Sequence, residues 1–358
     1  MLITDIQTRF APVLGPLGQA YAGLMRLRAK AYTRHILPSW KPPVPCISVG
    51  NISWGGTGKT PVVAWLLDWA QQEGLVPAVL TRGYGGKPPY KPYPVLQTSP
   101  ARESGDEPLM LKRAFPQALI IVDPKRTRGG KFICTHAMPD LLVLDDGFQH
   151  LRVRRDINLC LFSPQDLESQ WNRVIPAGSW REDASAINRA DAFLVNNMRE
   201  EDDCLEALAR IKLPGRGKPI FFFQVNAQAV VNAYTGERLP RLNGIRFLAV
   251  TGVANPNKII NTFKADLGQQ PQRHLVYPDH HAFTAADWQT ISQTAEALQC
   301  SHIICTPKDA PKLAPLADNR LWMPQLSTSF TSTGTQSFES WLHERWNIIR
   351  NHHARKEA

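Results

Sequence analysis

The fold of this 358-residue chain is decided by the stretch Val49-Gly50-Asn51-Ile52-Ser53-Trp54-Gly55-Gly56-Thr57-Gly58-Lys59-Thr60. The apolar segment Cys46–Val49 before the glycines predicts a strand, and the residues from Lys59 to Gln72 predict a helix. A strand that enters a glycine-rich loop and leaves it as a helix is typical of phosphate binding, because glycines let backbone N–H groups approach phosphate oxygens.

The residues that close this loop have the chemistry that a nucleotide requires. Lys59 is expected to reach the β- and γ-phosphates, and the hydroxyl of Thr60 is expected to hold Mg²⁺. The usual pattern has a glycine six residues before the lysine, where this chain has Ser53. The strand–loop–helix context still favours a nucleotide site over an ordinary glycine-rich turn. The loop residues expected to line the nucleotide are Gly55, Gly56, Thr57 and Gly58.

Further apolar segments predict a parallel sheet around the loop. Each is bounded by turn or polar residues, as expected for buried strands. Because helical segments alternate with them, the chain is expected to form an α/β fold with a doubly wound sheet. These segments are Val76–Thr81, Leu119–Val122, Leu141–Leu144, Ile157–Phe162 and Ala192–Asn196.

The pattern changes after a turn-rich break at residues 213–219. The segments Ile220–Val225 and Val230–Tyr234 predict an extended linker or a hairpin. A second α/β unit is expected to begin at Arg246–Val250 and to end in a tryptophan-rich helix around Phe338–Ile349.

Acidic residues follow the strand predicted at Leu141–Leu144. In nucleotide-binding sheets, a carboxylate at this edge meets Mg²⁺ directly or through water, which makes Asp145 or Asp146 a metal candidate. Asp106 and Glu107 precede a predicted helix, Leu109–Phe115, and acids in a first turn also favour the helix dipole whatever the function.

Two more short motifs allow two interpretations each. His280 and His281 are adjacent histidines, which in loops are usually exposed and without a function. A histidine beside an acid such as Asp279 can also act as an acid or base. Thr306-Pro307-Lys308-Asp309 resembles a base-reading loop of guanine-nucleotide proteins, although a Lys-Asp pair is frequent by chance.

Composition excludes several classes of protein. Apolar residues make up 43% of the chain and charged residues 20%, which is globular and excludes disordered, collagen-like and coiled-coil proteins. The net charge of +10 favours an anionic partner. Composition alone does not distinguish between nucleic acid, an acidic membrane surface and a phosphorylated ligand. Six cysteines show no paired spacing, so free thiols are expected, and Cys300–Cys305 lacks a second pair of ligands for zinc.

Residues 1–41 carry six basic residues against one acid, Asp5, together with apolar residues at helical spacing. Pro12, Gly15 and Pro16 are expected to break the segment into a short helix and a longer one at residues 17–36. A signal peptide is disfavoured because the charges follow the apolar residues, and a membrane span is disfavoured because no apolar run is long enough. An interfacial helix on an anionic membrane and a helix docked on its own domain both remain.

Taken together, the motifs resemble the tetraacyldisaccharide 4′-kinase family, the lipid A 4′-kinases of Gram-negative bacteria. The family tolerates a hydroxyl residue at position 53, whereas Pro307 stands where an acidic residue is common. The resemblance covers about residues 45–313 in order, and the string Asp145-Asp146-Gly147-Phe148-Gln149-His150 is specific. The other matches are Val49–Pro61, Thr81–Gly85, Gly105–Pro108, Pro176–Gly178 leading to Arg181-Glu182, Val250–Pro256, Asp279–His281 and Thr306–Ala310.

The resemblance implies transfer of a phosphoryl group from ATP, with Mg²⁺, to the 4′-hydroxyl of a tetraacylated glucosamine disaccharide 1-phosphate. It implies a P-loop NTPase-like α/β/α sandwich with a mostly parallel sheet, and a second, smaller α/β domain joined by a short β linker. It also implies a peripheral or monotopic enzyme, expected as a monomer, at the cytoplasmic face of the bacterial inner membrane. The expected boundaries are 1–41 for the interfacial helix, 42–222 for the catalytic domain, 223–244 for the linker, 245–350 for the smaller domain and 351–358 for a frayed tail.

The resemblance also implies roles for individual residues. Asp106 would be the base for the acceptor hydroxyl, tuned by His280, and Lys59 would complete the catalytic set. The remaining implied residues are Thr60, Glu107 and Asp145 for the metal, Lys308 for the nucleotide, and Arg82, Arg126, His150 and Arg181 for the disaccharide phosphate or the transferring group.

The sequence leaves two other functions as alternatives. A nucleotide switch or GTPase-like protein would prefer GTP and hydrolyse it slowly without a lipid acceptor. A nucleic-acid-binding ATPase is suggested by the basic isoelectric point alone, and no nucleic acid partner is expected.

Overall fold

The computed structural model describes residues 7, 10–197, 203–213, 217–253, 256–332 and 334–357. The short first helical piece is almost entirely outside the described residues, as are residues 214–216 of the turn-rich break and residues 254–255 of the family match. The helices are α1 (Ala11–Thr33), α2 (Lys59–Gln72), α3 (Ala101–Ser104), α4 (Asp106–Ala114), α5 (Arg126–His136), α6 (Pro164–Leu167), α7 (Asp203–Lys212), α8 (Pro256–Leu267), α9 (Ala285–Ala297), α10 (Ala310–Leu313) and α11 (Phe338–Glu357), with a 3₁₀ helix at Ala184–Arg189.

The strands include every segment predicted before residue 200. They are β1 (Cys46–Asn51), β2 (Pro77–Thr81), β3 (Tyr93–Pro94), β4 (Leu119–Val122), β5 (Leu141–Asp145), β6 (Ile157–Phe162), β7 (Ala192–Asn196), β8 (Ile220–Asn232), β9 (Arg238–Leu239), β10 (Phe247–Thr251), β11 (Arg273–Val276), β12 (His302–Cys305) and β13 (Leu321–Ser332).

The chain divides into two compact units. The first consists of residues 1–82, 118–224 and 329–358, and the second of residues 83–117 and 225–328. This division differs from the expected boundaries, because residues 83–117 group with the later part of the chain and the last helix groups with the first unit. The strands β8 and β13 each begin in one unit and end in the other.

The first unit is built on a parallel sheet with the strand order β8-β7-β6-β1-β5-β2-β4. Its strands β1, β5, β6 and β7 are buried along their whole length, which explains their mostly apolar sequences. The predicted α/β class with a mostly parallel sheet is confirmed.

The position of β1 in this sheet determines where the chemistry lies. β1 pairs with β5 on one side and β6 on the other, and Val49 lies beside Asp145 in the register. The glycine-rich loop and the acids after β5 therefore leave the sheet at the same edge, where parallel α/β sheets bind ligands.

The strands of the second unit follow the order β11-β10-β12-β13-β8, with β9 antiparallel to β8. β10 is parallel to both β11 and β12, and β12 is parallel to β13. The expected separation of Ile220–Val225 from Val230–Tyr234 is wrong, because β8 is one continuous strand from Ile220 to Asn232. A hairpin is present at its end, where β9 pairs antiparallel with β8 across a turn that includes Thr235. Polar residues such as Gln224 and Asn226 lie in its middle at half-buried positions, and they obscured its continuity in the sequence.

The helix α1 is continuous from Ala11 to Thr33, and the expected break at Gly15 and Pro16 is absent. Pro12 lies in the first turn, where a missing backbone N–H costs nothing, so only Pro16 interrupts the hydrogen bonding of the helix interior. No helix in the described part of the chain is long and apolar enough to cross a membrane. At the other end, α11 continues to Glu357 rather than ending near Ile349.

Candidate active site

The glycine-rich loop of the first unit ends in a left-handed residue. Gly58 has φ 95° and begins α2, and a Cβ there would lie 2.8 Å from the ring of Phe223 and 3.0 Å from Nδ2 of Asn196. Asn196 also donates a hydrogen bond to the carbonyl of Thr57, at 3.2 Å. Glycine is therefore required at position 58, and β7 and β8 fix the loop from one side.

The side chain of Lys59 lies at the sheet edge between two oxygen groups. Its Nζ donates to Oδ1 of Asn51 at 3.1 Å and lies 3.5 Å from Oδ1 of Asp146. Asn51 is the last residue of β1 and is fully buried. The loop lysine is thus held where β1 and β5 end, as the sequence predicts.

Asp146 is the acid that faces the loop. Arg181 donates from Nη1 to both of its oxygens, at 3.1 and 3.0 Å. Burial acts to raise the pKa of Asp146, but the charges of Lys59 and Arg181 outweigh it and hold the pKa below its ordinary value. Asp146 is therefore a carboxylate at neutral pH.

Asp145 has different surroundings from its neighbour. It is the last residue of β5, it is buried, and its Oδ2 accepts a hydrogen bond of 2.8 Å from the hydroxyl of Thr81. Asp146 has φ 51°, so the chain turns between the two acids. The turn directs one carboxylate along the sheet edge and the other toward Lys59.

Several buried polar atoms around the loop have no hydrogen-bond partner among the described residues. They are Oγ of Ser48, Nδ2 of Asn51, Oγ of Ser53 and Oγ1 of Thr57. Leaving such groups unpaired costs roughly 1–3 kcal/mol each, and a polar ligand with several acceptor and donor atoms would satisfy them. The loop therefore has the chemistry of a phosphate cradle.

A basic region flanks the same sheet edge. Arg126 begins α5, is 2% exposed, and donates to the backbone carbonyls of Asp123 and Asp145. Burial lowers its pKa to about 10, so it remains charged at neutral pH. Burial, with a further contribution from Arg126, lowers the pKa of His150 to about 4, so this imidazole is neutral. Arg82, exposed after β2, lowers both pKa values through its charge.

A pocket of about 270 Å³ opens beside Arg126 and His150. It combines cationic side chains with a few apolar ones and an aromatic residue of α1. Its lining residues are Arg28, Tyr32, Pro124, Lys125, Arg126, Thr127, His150, Leu151, Arg152 and Val153. Of the four residues expected to hold the substrate phosphate, Arg126 and His150 line this pocket, and the charge of Arg82 acts on both. The fourth, Arg181, contacts Asp146 instead.

The second unit contains a separate cluster around Asp106. Nδ1 of His280 lies 3.0 Å from Oδ2 of Asp106, and Nζ of Lys312 lies 3.2 Å from the same oxygen. Asp106 is 7% exposed. The pairing of Asp106 with a histidine, implied by the family resemblance, is present in the structure.

The structure distinguishes between the two adjacent histidines. His280 contacts Asp106, whereas Nε2 of His281 lies 3.1 Å from Oδ2 of Asp287 at the start of α9. His280 has φ 60°, and its ring lies 5.6 Å from that of Tyr84. His280 is therefore the histidine that contacts Asp106.

Glu107 and Lys308 form an ion pair in this unit, with Nζ 3.1 Å from Oε1. Burial acts to lower the pKa of Lys308, but Glu107 raises it further, and the net direction is upward. Among the described residues, no group of three or more histidine, cysteine or acidic side chains is arranged to hold a metal ion. Mg²⁺ in phosphotransferases is usually held by one or two carboxylates with phosphates and water, so it does not need such a group.

Sequence reasoning missed Lys312 and Asn51. Asn51 stands in the quoted loop motif, at the strand end that faces the lysine, and this position was a usable signal. Lys312 lies one helical turn after Asp309. Its contact with Asp106 joins residues 206 positions apart, and no pattern in a single sequence predicts such a contact.

The fold and this loop define a class. A parallel sheet, a strand–loop–helix with Lys59 at the loop end, and acids after the neighbouring strand define a P-loop phosphotransferase. The family described as tetraacyldisaccharide-1-P 4′-kinase matches residues 10–347. The chain belongs to this family.

Individual relatives agree with this assignment. The tetraacyldisaccharide 4′-kinase of Nitratidesulfovibrio vulgaris is 42% identical over 97% of this chain and 97% of its own length. The corresponding protein of Oleidesulfovibrio alaskensis is 41% identical over 95% of this chain and 97% of its own. The crystal structure of the "apo" form of LpxK from Aquifex aeolicus in complex with ATP has a TM-score of 0.74 and 26% identity, and covers 96% of this chain and 99% of that one.

Proposed function

We propose that this protein is an ATP-dependent kinase that phosphorylates the 4′-hydroxyl of a tetraacylated glucosamine disaccharide 1-phosphate in lipid A biosynthesis. One observation carries the proposal: in a chain of this family, Lys59, Asp146 and Arg181 converge at the edge where β1 and β5 end. Phosphoryl transfer is mainly positioning and charge neutralisation, and this cluster supplies both.

In the first unit, Lys59 and the loop residues Gly55, Gly56, Thr57 and Gly58 bind the phosphates of ATP. When the phosphates arrive, their oxygens replace Asp146 as the partner of Lys59. Arg181 then stabilises charge on the transferring group. The unpaired polar atoms of Asn51 and Thr57 support a ligand at this position.

Mg²⁺ fits the donor set at this edge. The hydroxyl of Thr60 and the carboxylate of Asp145 are oxygen ligands of the kind that Mg²⁺ prefers. When bound, the ion would neutralise charge that develops on the phosphate oxygens.

In the second unit, Asp106 accepts the proton of the acceptor hydroxyl. The hydroxyl oxygen forms a bond to the γ-phosphorus, the bond from that phosphorus to ADP breaks, and the proton passes to the Asp106 carboxylate. His280, 3.0 Å away, orients this carboxylate. Lys308 completes the proposed nucleotide contacts.

The pocket beside Arg126 and His150 is proposed to hold the phosphate of the acceptor. Arg28, Lys125 and Arg152 add positive charge to its lining. His150 is neutral there, so it contributes hydrogen bonding rather than charge until a phosphate raises its pKa.

The helix α1 is proposed to bind the anionic surface of the bacterial inner membrane at its cytoplasmic face. Val13, Leu17, Leu24 and Leu27 are each more than half exposed, and their spacing places them on one side of the helix. Ala22 and Tyr21 on the other side pack into the core of the first unit. Lys30 and Arg34 are exposed near the end of the helix, as expected at anionic headgroups.

Binding to vesicles that contain anionic lipid tests this part of the proposal. Leu24→Glu places a charge in the middle of the exposed apolar stripe and should lower binding at least several-fold. Gln19→Glu adds the same charge on an exposed position outside the stripe and should have a smaller effect. Equal binding by both variants would exclude the stripe as the membrane contact.

The GTPase-like alternative is not favoured. The side chain of Asp309 is fully buried and accepts hydrogen bonds from the backbone of Gly252 and the hydroxyl of Thr306, at 2.8 and 2.7 Å. Lys308 is paired with Glu107. An aspartate engaged in this way is not displayed for reading a guanine base.

The activity is tested with Mg-ATP and the acylated disaccharide 1-phosphate in mixed micelles, with detection of the bisphosphate by mass spectrometry. Asp106→Asn should lower turnover by about 10²–10⁴-fold, the usual contribution of a general base. ATP affinity, measured by calorimetry, should change little. Absence of the bisphosphate, or GTP hydrolysis without acceptor, would contradict the proposal.

A further inference from the structure

The contacts of Asp106 include a residue that the proposed mechanism has not used. Lys312, in α10, reaches Oδ2 of Asp106 at 3.2 Å, and its side chain is 9% exposed. His280 meets the same oxygen. In the described part of the chain, the side-chain contacts from His280 and Lys312 therefore both fall on Oδ2.

The ammonium of Lys312 is held in place by a second carboxylate. Oδ1 of Asp309 lies 2.9 Å from Nζ, as a charge contact rather than an aligned hydrogen bond. The ring of Phe283 lies under the ammonium, with the centroid 5.6 Å from Nζ. A buried ammonium between two carboxylates and an aromatic face has few alternative positions.

Asp309 is itself fixed by its surroundings. Its other oxygen accepts hydrogen bonds from the backbone N–H of Gly252 after β10 and from the hydroxyl of Thr306 after β12. The loops after two parallel strands thus anchor Asp309, Asp309 anchors Lys312, and Lys312 contacts Asp106.

We propose that Lys312 is a positioning residue for phosphoryl transfer, which fixes the Asp106 carboxylate by one oxygen so that the other meets the acceptor hydroxyl. This inference rests on the proposed function, since it assigns Asp106 to the acceptor. Lys312 and His280 act on one oxygen from two directions, and together they define the plane of the carboxylate. The chemical step itself is unchanged, and Lys312 touches no reacting atom.

Steady-state kinetics of the full chain test this role. Lys312→Met should lower kcat by about 10–100-fold, the cost typical of a misplaced catalytic group. Its KM for ATP should remain within about twofold, because Lys312 is not among the residues proposed to bind the nucleotide. Lys312→Arg keeps a cation within reach and should recover most of the lost kcat. Lys264→Met, an exposed lysine of α8 in the same unit, is the matched control and should behave as wild type.

A double-variant cycle separates positioning from general structure. If Lys312 acts through Asp106, Lys312→Met should cause no further loss of kcat in the Asp106→Asn background. An equal loss in both backgrounds, or a wild-type kcat for Lys312→Met, would overturn the positioning role and leave the kinase assignment intact. Failure of the wild type to form bisphosphate would overturn the kinase assignment and this inference together.

Lys312→Met leaves the carboxylates of Asp106 and Asp309 without their shared cation. This variant is therefore the one most at risk of unfolding. Asp309→Asn with Lys312→Met removes one of these charges and keeps an oxygen for Gly252 and Thr306. This double variant should lose as much kcat as Lys312→Met alone, but its melting temperature should be closer to that of the wild type. A normal kcat for the folded pair would also overturn the proposal.

Discussion

Replacement of Asp146 by asparagine should strengthen the binding of metal-free ATP. In the structure, Asp146 is the anion that occupies Lys59 and Arg181, at 3.5 and 3.0 Å. If the phosphates of ATP take over these two cations, they must displace a carboxylate that already neutralises them. Asparagine keeps the shape and one acceptor oxygen, but it removes the charge.

The size of the effect follows from the contacts. A hydrogen bond to a charged group contributes about 1.5–3 kcal/mol net, and the half-buried Arg181 contact is of this kind. If Asp146→Asn releases about that much energy for the incoming phosphates, ATP affinity should rise about ten- to 150-fold, since 1.4 kcal/mol is tenfold. Low ionic strength favours the measurement, because salt screens partly exposed pairs.

The assay is calorimetry with ATP in the presence of EDTA. Asp68→Asn, an exposed acid of α2 that contacts Gln72, makes the same change in net charge and should leave the affinity nearly unchanged. Unchanged or weaker binding by Asp146→Asn would refute the idea that Asp146 competes with the phosphates. Repeating the titration with Mg²⁺ tests which of the two acids binds the metal. If the higher ATP affinity of Asp146→Asn is lost when Mg²⁺ is present, Asp146 rather than Asp145 is the metal ligand.

A histidine substitution and two glycine substitutions test the structure more directly. The pKa of His150 is lowered by burial to about 4, against about 6.5 in the unfolded chain, so the unfolded state binds more protons between these values. The free energy of unfolding of the wild type should therefore fall by up to about 3 kcal/mol more than that of His150→Gln as pH drops from 6.5 to 4, as measured by urea titrations. Gly50→Ala would place a Cβ 2.5 Å from the backbone nitrogen of Phe148 and should cost about 1–3 kcal/mol or more, whereas Gly23→Ala, with open space around it in α1, should stabilise by about 0.5–1 kcal/mol in the same titration.

The first unit could be predicted closely because its strands are buried on both faces. The segments Leu119–Val122, Ile157–Phe162 and Ala192–Asn196 are strands with the predicted bounds. Continuous apolar runs bounded by turns leave few alternatives for such segments. The helix after the loop, Lys59–Gln72, also has the predicted bounds because Gly58 sets its start.

The second unit could be predicted only in part because its strands are less buried. β11, at Arg273–Val276, has no fully buried residue, and no apolar run marks it in the sequence. The choice between His280 and His281 depends on a carboxylate 174 residues earlier in the chain. The choice between Asp145 and Asp146 depends on a turn with positive φ, which asparagine and aspartate adopt more readily than most residues but which the sequence does not specify.

The positive charge of the chain is a weaker guide to ligands than its distribution. Part of the excess is structural, because Arg155 donates to three backbone carbonyls and Arg189 forms a bidentate pair with Glu182. Arg82, Arg126 and His150 differ, because they interact electrostatically at one sheet edge. The charge of Arg82 lowers the pKa of Arg126, and the charges of both arginines lower the pKa of His150. Arg82 and Arg126 are the charged members at neutral pH, because His150 is neutral there, and an anion bound beside them would relieve their repulsion. The proposed site for a phosphorylated sugar therefore depends on two close cations rather than on the net charge of +10.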